Sequence, residues 1–259
     1  MAGGDGTINE TLNGMVHSSV PLGILPAGTA NVLATELGLA KTMERAASSL
    51  EEWAPERVAV GLLRRSVDEN PRHFLLMAGA GLDADIVYHL ALGLKAAIGK
   101  AAYWIGGFAK LGVRLPEFDV QTEGHTFRVG FALASRVRNY GGDLEIARGA
   151  SLLDDQLELV LFEGSSSFTY LKYMLGVAAH RHLRMRGITT IRTRQASFSA
   201  PAHGKAHLQL DGEYAGFTPA RVEIVPNALT LLVPRQFRIR NAEAAARSVS
   251  TSWTTSPTR

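Results

Sequence analysis

Apolar positions along this chain follow two different periods, and the change between them divides it. From residue 1 to about 56, polar glycine-rich turns alternate with short apolar runs of helical or strand length. The pattern predicts a helix over 8–17, a strand over 22–25, and helices over 30–37 and 41–53. Pro55 then punctuates the chain. From Val58 the runs shorten and alternate: 58–63 and 74–78, separated by Asn70-Pro71, read as a hairpin. A helical pattern covers roughly 83–113. Strands are predicted at 117–122, 126–134, 144–147, 157–162, 189–199, 206–210, 220–225 and 229–232, interrupted by a helix near 166–185. Alternating loop, helix and strand predict part of a doubly wound α/β domain. Many short strands with turn signals predict an antiparallel β-sandwich. The expected organisation is an α/β unit over 1–56, a β-rich unit over 57–235, and a C-terminal tail over 236–259. That tail is rich in Ser, Thr, Ala and Arg from about Ala242 and is expected to be disordered at its end.

Two strand-to-helix turns carry the most specific chemistry. The first is Gly3-Gly4-Asp5-Gly6-Thr7-Ile8-Asn9-Glu10, the second Pro26-Ala27-Gly28-Thr29-Ala30-Asn31. Glycines let the backbone turn tightly and let a polyphosphate approach main-chain N–H groups. A following helix N-terminus adds a positive dipole end. Thr29 or Asn31 can cap the helix that begins near Val32. In an open α/β sheet such turns gather at the carboxyl ends of the strands, where ligands bind.

Composition narrows the function classes. With 259 residues, 46% hydrophobic and 20% charged, the chain can bury a sizeable core. It has no cysteine, which excludes disulfides and thiolate metal sites. A net charge of +3 suits a phosphate-rich substrate or an anionic membrane surface. No RNA-binding motif or basic-aromatic interleaving argues for nucleic acid. No signal peptide and no membrane span are expected, which points to the cytoplasm with peripheral membrane association.

The two turns, the Asn13-Gly14 pair, Met77-Ala78-Gly79-Ala80-Gly81-Leu82-Asp83-Ala84, Leu152-Leu153-Asp154-Asp155-Gln156-Leu157 and Leu210-Asp211-Gly212-Glu213 together resemble the diacylglycerol kinase catalytic-domain family. That superfamily includes bacterial lipid kinases and sphingosine kinases; NAD kinases and phosphofructokinases share the Gly-Gly-Asp-Gly core. The resemblance runs from Gly3 to about Pro234. It implies an ATP- and Mg²⁺-dependent lipid kinase that phosphorylates a diacylglycerol-like hydroxyl at a membrane surface, with a homodimer left open. Gly3, Gly4, Asp5, Gly6, Thr7, Asn9, Glu10, Gly28 and Thr29 would bind nucleotide. Asp5 would stand near the catalytic Mg²⁺, and Glu213 would accept the proton. Asp155, with Leu152 and Leu157, matches a second Mg²⁺ site. Gln156 stands where the family usually has glycine, and would be strained if that glycine adopts positive φ.

Plainer readings accompany these. Asp5 can form an Asx turn, and Asp211-Gly212 is a strong hairpin signal that can still present Glu213 to a cleft. The stretches 88–113, with Lys95, Lys100 and Lys110, and 168–187, ending in His180-Arg181-His182-Leu183-Arg184-Met185-Arg186, are basic amphipathic helices. Such helices lie on a membrane or pack on a core with a solvated face. His180 and His182 read as surface residues. The family domain has more α/β structure before the first turn, so the chain is expected to bind ATP weakly or not at all, and to be a lipid kinase or the larger part of one. The alternatives are a truncated, catalytically impaired lipid-binding or regulatory module, and an NAD kinase.

Overall fold

The computed structural model describes residues 1–65, 70–82, 84, 85, 87, 114–140 and 144–252, with side chains as far as residue 243. The helix expected over 83–113, with Tyr88 and its lysines, lies outside the described residues apart from its first few positions.

The N-terminal part is an α/β layer. Strands β1 (Ala2–Gly3) and β2 (Leu25–Pro26) pair in parallel. They lead into α1 (Asp5–Met15) and α2 (Val32–Leu37); α3 (Met43–Ser48) follows, capped by Thr42 Oγ1 on the Arg45 N–H.

Beyond it stand two six-stranded antiparallel sheets. Their strands are β3 (Trp53–Arg64), β4 (Arg72–Phe74), β5 (Met77–Gly81), β6 (Phe118–Thr122), β7 (His125–Val129), β8 (Phe131–Ser135), β11 (Leu157–Phe162), β12 (Ile188–Thr193), β13 (Gln195–Phe198), β14 (His207–Leu210), β15 (Glu213–Phe217) and β16 (Ala220–Pro234). One sheet has the order β12-β11-β8-β5-β14-β15, the other β4-β3-β16-β13-β6-β7. A small hairpin of β9 (Asn139–Tyr140) and β10 (Leu144–Glu145) stands beside them.

The two-residue side-chain period of β11 shows how the layers stack. Leu157, Leu159 and Leu161 enter the core between the sheets, with Ala78, Ala80, Phe118 and Phe198. Val160 and Phe162 face the opposite way, into a second core shared with Ile8 and Leu12 of α1, Leu33 and Leu37 of α2, and Tyr170 and Tyr173 of α4 (Ser167–Ala178). The central strands of the first sheet, β5, β8 and β11, are therefore buried on both faces, which is why β5 and β8 read as nearly unbroken runs of small and apolar residues.

Several boundaries differ from the sequence expectation. The expected division after residue 56 lies inside β3, a continuous strand of 12 residues. The runs 220–225 and 229–232 form one strand, β16, because Asn227 at φ +53 sits in a bulge between Val225 and Leu229. Its second half reaches the α/β layer, where Leu22 bridges Leu231. Of the tail expected to be disordered at its end, the part up to Ser252 is a helix, α5 (Arg235–Ser252), and residues 253–259 lie outside the described residues. The Ala-rich sequence of α5 favours helix, Phe237 is buried, and Arg240 Nη2 donates to the Glu36 carbonyl at 2.8 Å.

Candidate functional site

Because β1 and β2 run parallel, the turns leaving them lie side by side, as the sequence implied. The Ala27 N–H donates to the Gly3 carbonyl at 3.2 Å. The turns touch backbone to backbone: a Cβ on Gly28 would stand 2.5 Å from the Gly4 Cα and 2.9 Å from Asn31 Oδ1. Gly28→Ala is therefore expected to push the turns apart at a cost of about 1–3 kcal/mol, read as a lowered melting temperature.

Asp5 ties the turns together. Its Oδ2 accepts the Val32 N–H at 3.0 Å and its Oδ1 the Leu33 N–H at 3.2 Å. Asp5 thus caps α2 from another helix. Asn31, the residue in the N-cap position, adopts φ +46 and turns its amide back on Gly28, accepting from the N–H and donating to the carbonyl, both at 2.8 Å. The positive end of α2 is engaged by Asp5. By contrast α1 starts at Gly4 with no side-chain cap, and Thr7, Gly28 and Thr29 around it are exposed.

A distant hairpin meets the first glycine turn. Asp211 (φ +50) and Gly212 (φ +87) form the two-residue turn between β14 and β15, with Leu210 opposite Glu213. The turn sets the Glu213 carboxylate against Gly6, where a Cβ would lie 3.0 Å from Glu213 Oε1. The segment is a turn, and it places Glu213 against the first glycine loop.

What holds the hairpin there was not visible in the sequence. Asp211 is buried, and its carboxylate accepts the N–H groups of Leu75, Leu76 and Met77, each at 2.9 Å. Asn9 Nδ2 donates to the same carboxylate at 2.9 Å and to the His73 carbonyl at 3.1 Å. Burial pushes the Asp211 carboxyl up, and these hydrogen bonds oppose the shift. One turn along α1, Asn13 accepts the His73 N–H at 2.9 Å and donates to its carbonyl at 3.2 Å. Asn9, expected among the nucleotide ligands, is 2% exposed and fastens α1 to the sandwich instead. Glu10 is exposed on α1. On α2, buried Glu36 makes a similar link by accepting the Arg138 N–H at 3.1 Å and the Asn139 amide at 3.3 Å.

Leu152 and Asp155, two of the three positions matched to a second Mg²⁺ site with Leu157, stand beside a buried cationic side chain. Arg136 at the end of β8 is wholly buried; its Nη2 donates to the Leu152 carbonyl at 2.6 Å and its Nη1 to the Asp154 carbonyl at 3.3 Å. Burial lowers its pKa to about 10, against the charges of Asp155, Asp154 and Asp211. The Asp154 side chain pairs with Arg192, and Asp155 is exposed. A guanidinium already supplies positive charge to this loop, and a divalent cation on the same carbonyl would face it. Gln156 does not adopt positive φ, so the strain expected there is absent. Arg136→Met is expected to destabilise the fold by roughly 3–5 kcal/mol through the unsatisfied carbonyls and acids it leaves. The wild-type melting temperature, followed without nucleotide, is expected to be the same in EDTA as in excess Mg²⁺.

His182 corrects another expectation. It is fully buried, and its Nε2 donates to the Ile146 carbonyl at 2.9 Å. It lies on a short 3₁₀ turn (His182–Arg184) after α4, where the chain reverses at His180, φ +54.

Residues 1–63 match the model of the diacylglycerol kinase catalytic domain, and residues 77–233 that of the YegS C-terminal NAD kinase beta sandwich-like domain. The chain belongs to the diacylglycerol kinase and YegS-like lipid kinase family. A diacylglycerol kinase of Bacillus subtilis (strain 168) is 26% identical over 241 residues, covering 91% of this chain and 77% of its own length. A Citrobacter koseri protein named "Probable lipid kinase YegS-like" is 30% identical over 240 residues, covering 90% and 76%. A crystal structure of a diacylglycerol kinase from Bacillus anthracis str. Sterne superposes with a TM-score of 0.61 at 17% identity, covering 91% and 76%. A second structure from that organism reaches 0.74 at 18% identity, covering 91% and 77%. These likenesses confirm the lipid-kinase fold, an α/β layer followed by a β-sandwich.

Proposed function

We propose that this lipid kinase transfers the γ-phosphoryl group of ATP to a hydroxyl of a diacylglycerol-like lipid. The transfer would occur in the cleft between the two glycine turns and Glu213. The observation that carries the reading is the contact between the Glu213 carboxylate and Gly6, which sets a carboxylate beside a loop suited to polyphosphate. In this reading the loop from Gly3 to Thr7, with Gly28 and Thr29 from the second turn, receives the phosphates. Phosphoryl transfer depends mainly on positioning and charge stabilisation, so the rigid coupling of the turns through Asp5 is part of the catalytic design. Glu213 takes the proton of the lipid hydroxyl as its oxygen bonds to the γ-phosphorus and the bond to the departing ADP oxygen breaks. Each Asp5 oxygen already accepts one amide hydrogen bond and keeps further acceptor capacity. A single carboxylate suits a Mg²⁺ held mainly by phosphate oxygens. When bound, that ion would neutralise developing charge.

The reading is tested by offering diacylglycerol, a sphingoid base, a polyprenol and NAD separately to the chain with radiolabelled ATP. Label in diacylglycerol or a close relative supports it. Label in NAD alone would replace lipid with dinucleotide as the acceptor.

A further inference from the structure

Helix α4 has one apolar face too many for its place in the core. Tyr170, Tyr173 and Val177 point inward. The Tyr170 hydroxyl, with one proton to donate, lies 2.8 Å from the Phe162 carbonyl and 2.9 Å from the Gly164 carbonyl, and the Tyr170 and Tyr173 rings meet edge to face at 5.6 Å. This anchoring fixes the helix. On the opposite side, Phe168 is 64% exposed and Leu175 62% exposed, with exposed Lys172 between them. Spacings of four and three residues put all three on one stripe.

The basic turn follows directly. Arg181, Arg184 and Arg186 are exposed, as is His180, and Leu183 is 41% exposed among them. Buried His182 pins this turn to Ile146. From Ser167 to Gly187 the sequence contains no Asp or Glu. Exposed aromatic and aliphatic side chains beside a cationic cluster suit the boundary of an anionic bilayer, although Glu145 and Glu163 stand on the elements packed against it. At that boundary the apolar groups enter the acyl region and the lysine reaches back to the headgroups. Among the described residues no helix is long and apolar enough to cross a membrane, so the arrangement fits lying on a surface.

We propose that the outward stripe of α4, Phe168, Lys172 and Leu175, together with Leu183 and Arg181, Arg184 and Arg186, is a docking surface for an anionic lipid bilayer. The biological use of the surface rests on the proposed reaction, since it would bring the enzyme to its acceptor. The binding itself does not need catalysis.

Vesicle cosedimentation without nucleotide tests the proposal, using the full chain with phosphatidylcholine vesicles and with vesicles containing phosphatidylglycerol. The expected result is selective binding to the anionic vesicles that weakens as salt rises. Binding should fall at least roughly tenfold in a Phe168→Ser, Leu175→Ser double variant and in an Arg181→Gln, Arg184→Gln double variant, since each removes one of the two attractions. Both variants change exposed side chains and should melt as the wild type does. The apolar variant should also raise KM for vesicle lipid while leaving kcat on a dispersed short-chain diacylglycerol unchanged. Binding by the apolar variant within about twofold of wild type would overturn the proposal. So would a smaller solution mass for that variant, because the stripe would then be covered by a second copy. A chain that binds anionic vesicles through this stripe yet phosphorylates no lipid would remove the proposed reaction and leave the docking surface standing.

Discussion

Replacing Glu213 with Gln is expected to slow phosphate transfer to lipid by about 10²- to 10⁴-fold, the usual contribution of a positioned general base. The melting temperature should stay close to that of the wild type. The substitution keeps the side chain's size and its place against Gly6, and removes only the ability to accept a proton. Glu213 opens β15, an edge strand, and is half-buried there, so no core packing is lost. ATP affinity should change little, because the phosphates are assigned to the glycine turns. Steady-state kinetics with saturating ATP, beside a thermal melt, check both halves: a fall in kcat with an unchanged melt is the predicted signature.

Two positions earlier in the same turn the expected effect is of a different kind. Asp211→Asn replaces an all-acceptor group with one that must point an NH₂ at N–H donors. Four donors converge on this carboxylate: the backbone N–H groups of Leu75, Leu76 and Met77, and Asn9 Nδ2. Asn can satisfy only part of that set, and a buried donor left without an acceptor costs about 1–3 kcal/mol. The nearby Arg136 also loses a compensating charge. The combined loss is expected at roughly 3–5 kcal/mol, a large share of the ordinary 5–15 kcal/mol stability of a domain. Denaturant unfolding should show a lower midpoint, and the protein that remains folded should lose activity through a displaced Glu213. Comparing the two variants separates chemistry from positioning within one hairpin.

The parts of this fold that could be read from sequence are those whose cause is local. Asp211-Gly212 between apolar runs names its own turn, and the apolar run 157–162 is β11 as expected. Strand breaks were less visible. The run 126–134 divides at Gly130 into β7 and β8, which enter different sheets, and 189–199 divides at Arg194 into β12 and β13. No local signal says that a chain changes sheet. The candidate site shows the same limit. Its glycine turns and Glu213 stand out as motifs, whereas the roles of Asp5, Asn9 and Asp211 depend on partners far away in the chain. Arg136 offered one unused signal: an arginine directly after the apolar stretch Phe131–Ser135, if buried with it, must carry its own set of acceptors. His182 lies in a basic, surface-like sequence, and only the reversal after α4 turns it inward.

The most direct test of the proposed reaction is transfer of label from γ-labelled ATP to diacylglycerol in mixed anionic vesicles, with wild type, Asp5→Ala and Glu213→Gln run side by side. The predicted result is Mg²⁺-dependent formation of phosphorylated lipid by the wild type and its near loss in both variants. Wild-type protein that forms no labelled lipid, or variants that form it at the wild-type rate, would contradict the assignment of catalysis to the cleft between the Gly3–Thr7 turn and Glu213.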